Sequence, residues 1–130
     1  MRRLLYIVIA FLMLAACTET TPEQRAAEAA KFYYDRLLEG YPEGFLEGKA
    51  DIDSLPSDYC EQMVGVFRKY ISDLQQQHGG ISEVRISPQV ARRDSTLNLT
   101  YAFLLLCYQD SVQEEITVPM VEVNGEWRMR

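Results

Sequence analysis

The hydrophobic residues of this chain keep a helical spacing as far as Gly79-Gly80 and an alternating spacing beyond it. The first helix is announced by Thr21-Pro22-Glu23-Gln24, which supplies a capping Thr, Pro at the first helical position and Gln three residues after the cap. Ala26, Ala30, Tyr33, Tyr34, Leu37 and Leu38 then share one face, and Gly40 is placed to end the helix. Tyr41 to Gly48 contains Pro42, Gly44 and Gly48, so it holds at most one helical turn, whose Phe45 and Leu46 plug the core. A loop with Asp51, Asp53 and Asp58 leads to a second long helix, from Pro56 or Ser57 to Gln77. Its buried stripe is Met63, Val66, Phe67, Tyr70, Ile71 and Leu74. His78, the sole His, falls in its last turn, where a cation suits the helix dipole.

The alternating stretch reads as four antiparallel strands, about Ile81 to Ala91, Ser95 to Tyr108, Val112 to Val123 and Glu126 to Arg130. Their predicted two-residue turns are Arg93-Asp94, Gln109-Asp110 and Asn124-Gly125. Those turns pair Val90 with Leu97, Ile86 with Tyr101, Val84 with Phe103, Phe103 with Ile116, Met120 with Met129 and Glu122 with Trp127. Each hairpin then gathers its more apolar set on one face. Ala102, Leu104 and Leu106 fall on the other face and interrupt its polarity. The strands exclude a helical bundle. Two long helices and a short one packed on a four-stranded antiparallel meander make a two-layer α+β domain.

Ahead of this domain, Arg2 and Arg3 precede an apolar run from Leu4 to Leu14 that ends in small residues before Cys17. That is the charged, apolar, small-residue order of a secretory signal, and the run is short for a spanning helix. Leu14-Ala15-Ala16-Cys17 resembles the lipobox of bacterial lipoproteins, which implies cleavage between Ala16 and Cys17 and lipid on the Cys17 sulfur. Two or three acyl chains suffice for stable anchoring. The expected organisation is therefore a signal peptide over 1–16, a lipidated tether over 17–22 and one domain over 23–130. Thr18 stands where an Asp would suggest inner-membrane retention, so the expected address is the outer membrane of the cell envelope.

Losing Arg2 and Arg3 with the leader leaves eleven basic residues against nineteen acids, a net charge of -8. A domain so acidic is a poor nucleic-acid binder. Cys60 and Cys107 remain after Cys17 is lipidated, in a compartment where disulfides persist. They make either a bridge or two buried thiols, and spacing does not choose between these.

Ala29-Ala30-Lys31-Phe32-Tyr33-Tyr34, Phe67-Arg68-Lys69-Tyr70 and Val121-Glu122-Val123-Asn124-Gly125-Glu126-Trp127 carry a family resemblance over Glu23 to Arg130. The chain resembles the nuclear transport factor 2-like superfold, also called cystatin-like or ketosteroid isomerase-like, in the minimal form found among small bacterial lipoproteins. That resemblance implies a curved sheet wrapped around a long helix into a cone whose interior can hold a ligand. Members include isomerases, dehydratases and plain binding modules, so the fold leaves function open.

Within such a cone the expected inward polar residues of the sheet are Tyr101, Glu114 and Glu122. Tyr101 and Glu114 form the candidate pocket together with Tyr34 and Trp127. Glu114 could act as a general base and Tyr101 as an oxyanion donor in an isomerase or lyase. Equally, Tyr101 could be a buried structural residue and Glu114 a margin residue reaching water, which leaves a non-enzymatic module for a small molecule or an envelope protein. No catalytic residue is assigned. One His and no Cys-rich spacing argue against a zinc site, the acidic loop does not fit an EF-hand, and no phosphate loop is present, so no metal or cofactor is expected. A homodimer covering Ala102, Leu104 and Leu106 is the expected protein contact besides the membrane.

Overall fold

The computed structural model describes residues 20–130. The leader, its cleavage point at Ala16 and Cys17, and the start of the tether lie outside the described residues. The chain folds into α1 (Pro22–Leu38), α2 (Pro42–Leu46), a 3-10 turn (Ile52–Ser54) and α3 (Ser57–His78). Strands β1 (Ile81–Asp94), β2 (Leu99–Tyr108), β3 (Gln113–Val123) and β4 (Glu126–Met129) follow in a meander of order β1-β2-β3-β4. No helix among the described residues is long and apolar enough to cross a membrane.

The helix signals act as expected. The Thr21 Oγ1 accepts the Gln24 N–H at 3.1 Å, and Pro22 opens the first turn. Gly79, at φ 73°, ends α3 with its N–H on the Gln75 carbonyl, while the Gly80 N–H reaches back to Leu74. Along α1 the buried face is Ala26, Ala27, Ala30 and Leu37, with Tyr33, Tyr34 and Leu38 half-buried. Three alanines in that face let the helix backbone approach the sheet closely. They meet Val84, Ala102, Leu104, Leu106, Val118, Met120 and Met129 in one core.

The sheet corrects two of the three predicted turns. The β1–β2 turn spans Ser95 to Asn98, not Arg93-Asp94. Asp94 Oδ1 accepts the N–H groups of Thr96 and Leu97, and Asn98 takes a positive φ, so the Asp opens the turn instead of closing it. A large bulge between Ile86 and Ala91 then changes the register again, leaving Ile86 opposite Leu104 and Val84 opposite Leu106. Ser87 pins this bulge from a fully buried position, donating to Glu115 Oε2 at 2.8 Å and accepting the Gln89 N–H. Between β2 and β3 the turn has three residues, with Ser111 at positive φ and the Tyr108 N–H on the Val112 carbonyl. Phe103 therefore pairs with Thr117 and Leu104 with Ile116. The Asn124-Gly125 hairpin keeps its expected register, with Met120 opposite Met129 and Glu122 opposite Trp127.

The outcome is that β2 is turned over relative to expectation while β1, β3 and β4 keep their faces. A side-chain period of two makes an odd register shift reverse every side chain of a strand. Ala102, Leu104 and Leu106 lie in the core with no exposure, so they cannot form the outward dimer patch expected of them. Tyr101, Phe103 and Leu105 take the outer face instead, half-buried.

Candidate functional site

The space between α1, the crossing α3 and the far end of the sheet is incompletely filled. Tyr34 on α1 meets Phe45 on α2 edge-to-face, with ring centroids 4.9 Å apart, and Phe45 meets Phe67 on α3 in the same way at 4.8 Å. This aromatic ladder ties the three helices together. Beyond it lies a cavity of about 200 Å³ walled by Tyr34, Phe45, Met63, Phe67, Val118 and Met129, with Lys49 and Arg130 at its margin. Burial and repulsion from Tyr70 push the Tyr34 hydroxyl up to about 12, so it is a proton donor at neutral pH. Among the described residues none forms a hydrogen bond with that hydroxyl.

Lys49 is brought to this margin by backbone pairing. The Met129 N–H donates to the Gly48 carbonyl and the Ala50 N–H to the Met129 carbonyl, each at 2.7 Å, which lays Gly48 to Ala50 alongside β4. Gly48 is needed there because a Cβ would sit 2.6 Å from the Tyr33 ring. Tyr33 in turn donates to the Trp127 carbonyl at 2.8 Å. Trp127, an expected pocket residue, thus packs beside the core and does not line the cavity.

Of the expected pocket residues, Tyr34 alone lines the cavity. Tyr101 faces outward with β2 and pairs with Pro119, whereas Glu114 lies on the helix side of β3 near its start, opposite Leu106. The anticipated pairing of Glu114 as base with Tyr101 as oxyanion donor is therefore not assembled, because the sheet lies between them. Glu114 instead accepts the Tyr108 hydroxyl at 3.0 Å from an exposed margin position. Burial, then that hydrogen bond, holds the Tyr108 phenol well above its ordinary range. Tyr108 was invisible to sequence reasoning because both faces of β2 are apolar, and only the three-residue turn at Ser111 decides which one points in.

The same margin holds His78. Its ring stacks on Tyr108 at 4.3 Å, and its Nδ1–H donates to Asp110 Oδ2 at 2.7 Å. That hydrogen bond, with help from the Val112 N–H, holds the Asp110 carboxyl below its ordinary value. The group fastens the end of α3 to the β2–β3 turn.

A larger groove of about 540 Å³ runs between α2, the 3-10 turn and the first turns of α3. Leu46, Ile52, Cys60, Val64 and Gly65 line it, with Glu43, Glu47, Glu61 and Arg68 around them. Arg68 is already paired with Glu43 at 2.8 Å. Cys60 and Cys107 are free thiols: Cys60 faces this groove, while Cys107 is buried on the outward side of β2, so the bridge left open by the sequence is not formed. The described residues hold no cluster of three His, Cys, Asp or Glu side chains fit for a metal ion.

No protein-family model matches this chain, and no curated protein matches it. Among solved structures it is similar to a candidate NTF2-like transpeptidase from Campylobacter jejuni, with a TM-score of 0.61 and 10% sequence identity. The match covers 78% of this chain and 94% of that one. At such identity the likeness establishes the nuclear transport factor 2-like fold, and the transpeptidase name stays with that protein.

Proposed function

We propose that this protein is a lipid-anchored cell-envelope lipoprotein whose domain binds a small ligand in the cone cavity without transforming it. The observation that carries the binding role is Tyr34, which lines a largely apolar cavity and whose protonated hydroxyl has no hydrogen-bond partner among the described residues. No buried side-chain donor or acceptor is left unpaired among the described residues, so this hydroxyl is open to solvent, and a ligand acceptor would take the place of water there. The non-enzymatic role is favoured because the expected base and oxyanion donor lie on opposite sides of the sheet. The anchor rests on Arg2-Arg3, the apolar run and Leu14-Ala15-Ala16-Cys17.

Two experiments test the two halves of this reading. Expression of the full chain in a bacterium fed labelled palmitate should label the protein and send it to the outer-membrane fraction, and Cys17→Ala should abolish both. Unlabelled native chain would reject the anchor. A cavity saturable by any small apolar probe, weakened by Tyr34→Phe, supports the binding role; turnover of such a probe that disappears in Glu114→Gln would restore the enzymatic one.

Self-association through the sheet is a second reading, resting now on Tyr101, Phe103 and Leu105, which give the outer face its apolar stripe. Sedimentation of the full chain in nanodiscs should then show a dimer that Phe103→Glu dissociates.

A further inference from the structure

The cone cavity carries a charge pattern opposite to the rest of the molecule. The chain is acidic overall, and three glutamates stand around the larger groove. The side chains of the ten residues lining the cone cavity include two bases, Lys49 and Arg130, and no acid. Among the described residues Lys49 has only a loose partner, Asp51 Oδ1 at 3.9 Å, which is beyond hydrogen-bond length. The Tyr34 hydroxyl adds an O–H donor that no described residue engages. The remaining lining is Phe45, Met63, Phe67, Val118, Pro119 and Met129, with Thr117 beside them, so most of the wall suits a hydrocarbon body.

From this convergence we infer that the cavity takes a small amphipathic anion, a carboxylate or comparable oxyanion on a short hydrocarbon body. The inference rests on the cone cavity being a ligand site, as proposed above. The apolar body packs against Phe45, Met63, Phe67, Val118 and Met129. The anionic head sits among Lys49, Arg130 and the Tyr34 hydroxyl, where charge-assisted hydrogen bonds are roughly twice as strong as neutral ones. Size narrows the class further. At about 30 Å³ for each water of the liquid, the cavity equals roughly seven waters, which suits an acid of about six to eight carbons. A long-chain lipid tail would have to leave the cavity.

The test uses the full chain in lipid nanodiscs, with methyl-labelled methionines and octanoate and 1-octanol as probes. Met63 and Met129 line the cavity and report occupancy, while Met120 is fully buried in the core and reports the fold. Octanoate should shift the Met63 and Met129 methyls saturably and bind about tenfold more tightly than octanol. Lys49→Gln and Arg130→Gln should each weaken octanoate severalfold, leave octanol unchanged and leave the Met120 methyl in place. Octanol binding as tightly as octanoate, indifferent to both substitutions, would overturn the anion preference and keep the binding role. Failure of both probes to move either cavity methyl would overturn the binding role and the anion preference together.

Discussion

The two long helices have similar sequence signatures and opposite fates. In α1, Ala26, Ala27, Ala30 and Leu37 are buried against all four strands' core, and the helix lies flat on the sheet. In α3, five residues longer, Leu74 alone is buried, and two residues of its predicted stripe stay open to solvent, Val66 at 55% and Tyr70 at 38% exposure. The difference lies in what faces each helix. Small residues let α1 come close, whereas Phe67 on α3 rests on Phe45, itself stacked edge-on against Tyr34, and these rings stand between α3 and α1. The cone cavity and the larger groove are both lined in part by α3. An amphipathic stripe specifies a face, and the partner's shape decides whether that face is filled.

The contrast can be broken most strongly at the α1 side. Leu104→Ala, beneath the alanine face, should lower unfolding free energy by about 2–5 kcal/mol in urea titration. Ala30→Leu should cost about 1–3 kcal/mol, because the interface has no room for added methylenes. On α3, Val66→Ser should change stability by no more than about 0.5 kcal/mol. A Val66→Ser loss as large as that of Leu104→Ala would mean that α3 packs as tightly as α1. Amide exchange sharpens the same comparison, with α3 expected to exchange faster than α1 apart from the turn around Leu74.

The fastening of α3 at His78 gives the smallest and most specific effect. Asp110 is held below its ordinary pKa of 3.8 by the His78 hydrogen bond, so its charged form is favoured in the folded state. Its stabilising contribution is therefore present above that ordinary value and lost as pH falls through the lowered one. Asp110→Asn should be less stable than the native chain at neutral pH and should converge with it at the acid end of an unfolding-versus-pH series. A difference that stays constant down to the most acidic point would assign the effect to packing instead of charge.

The local sequence encodes the elements to within a few residues and leaves the facing of one strand undecided. Capping by Thr21, the Gly79-Gly80 stop and the Asn124-Gly125 hairpin are local devices, each contained in a few neighbouring residues, and each behaves as read. The facing of β2 is not local. Leu99, Tyr101, Phe103, Leu105 and Cys107 are as apolar as Ala102, Leu104, Leu106 and Tyr108, so alternation could not select between them. The choice fell to two turns longer than two residues and to a bulge whose Val90 adopts a positive φ that no β-branched residue advertises. Tyr101 was lost from the candidate site for this reason, and Tyr108 entered the opposite margin.

For the site, Tyr34 was legible because helical spacing alone puts it on the face of α1 that turns inward. Lys49 and Arg130 were not, since nothing in their neighbourhoods says that Gly48 to Ala50 lies beside Met129. The sequence by itself determined the order of elements, the α+β class and the charge, because periodicity, caps and tight turns act over a few residues. Tertiary structure decided which side of β2 is core, which helix is filled and that Lys49 and Arg130 border one cavity. Those outcomes depend on register and on the space left between distant side chains, which no local pattern encodes.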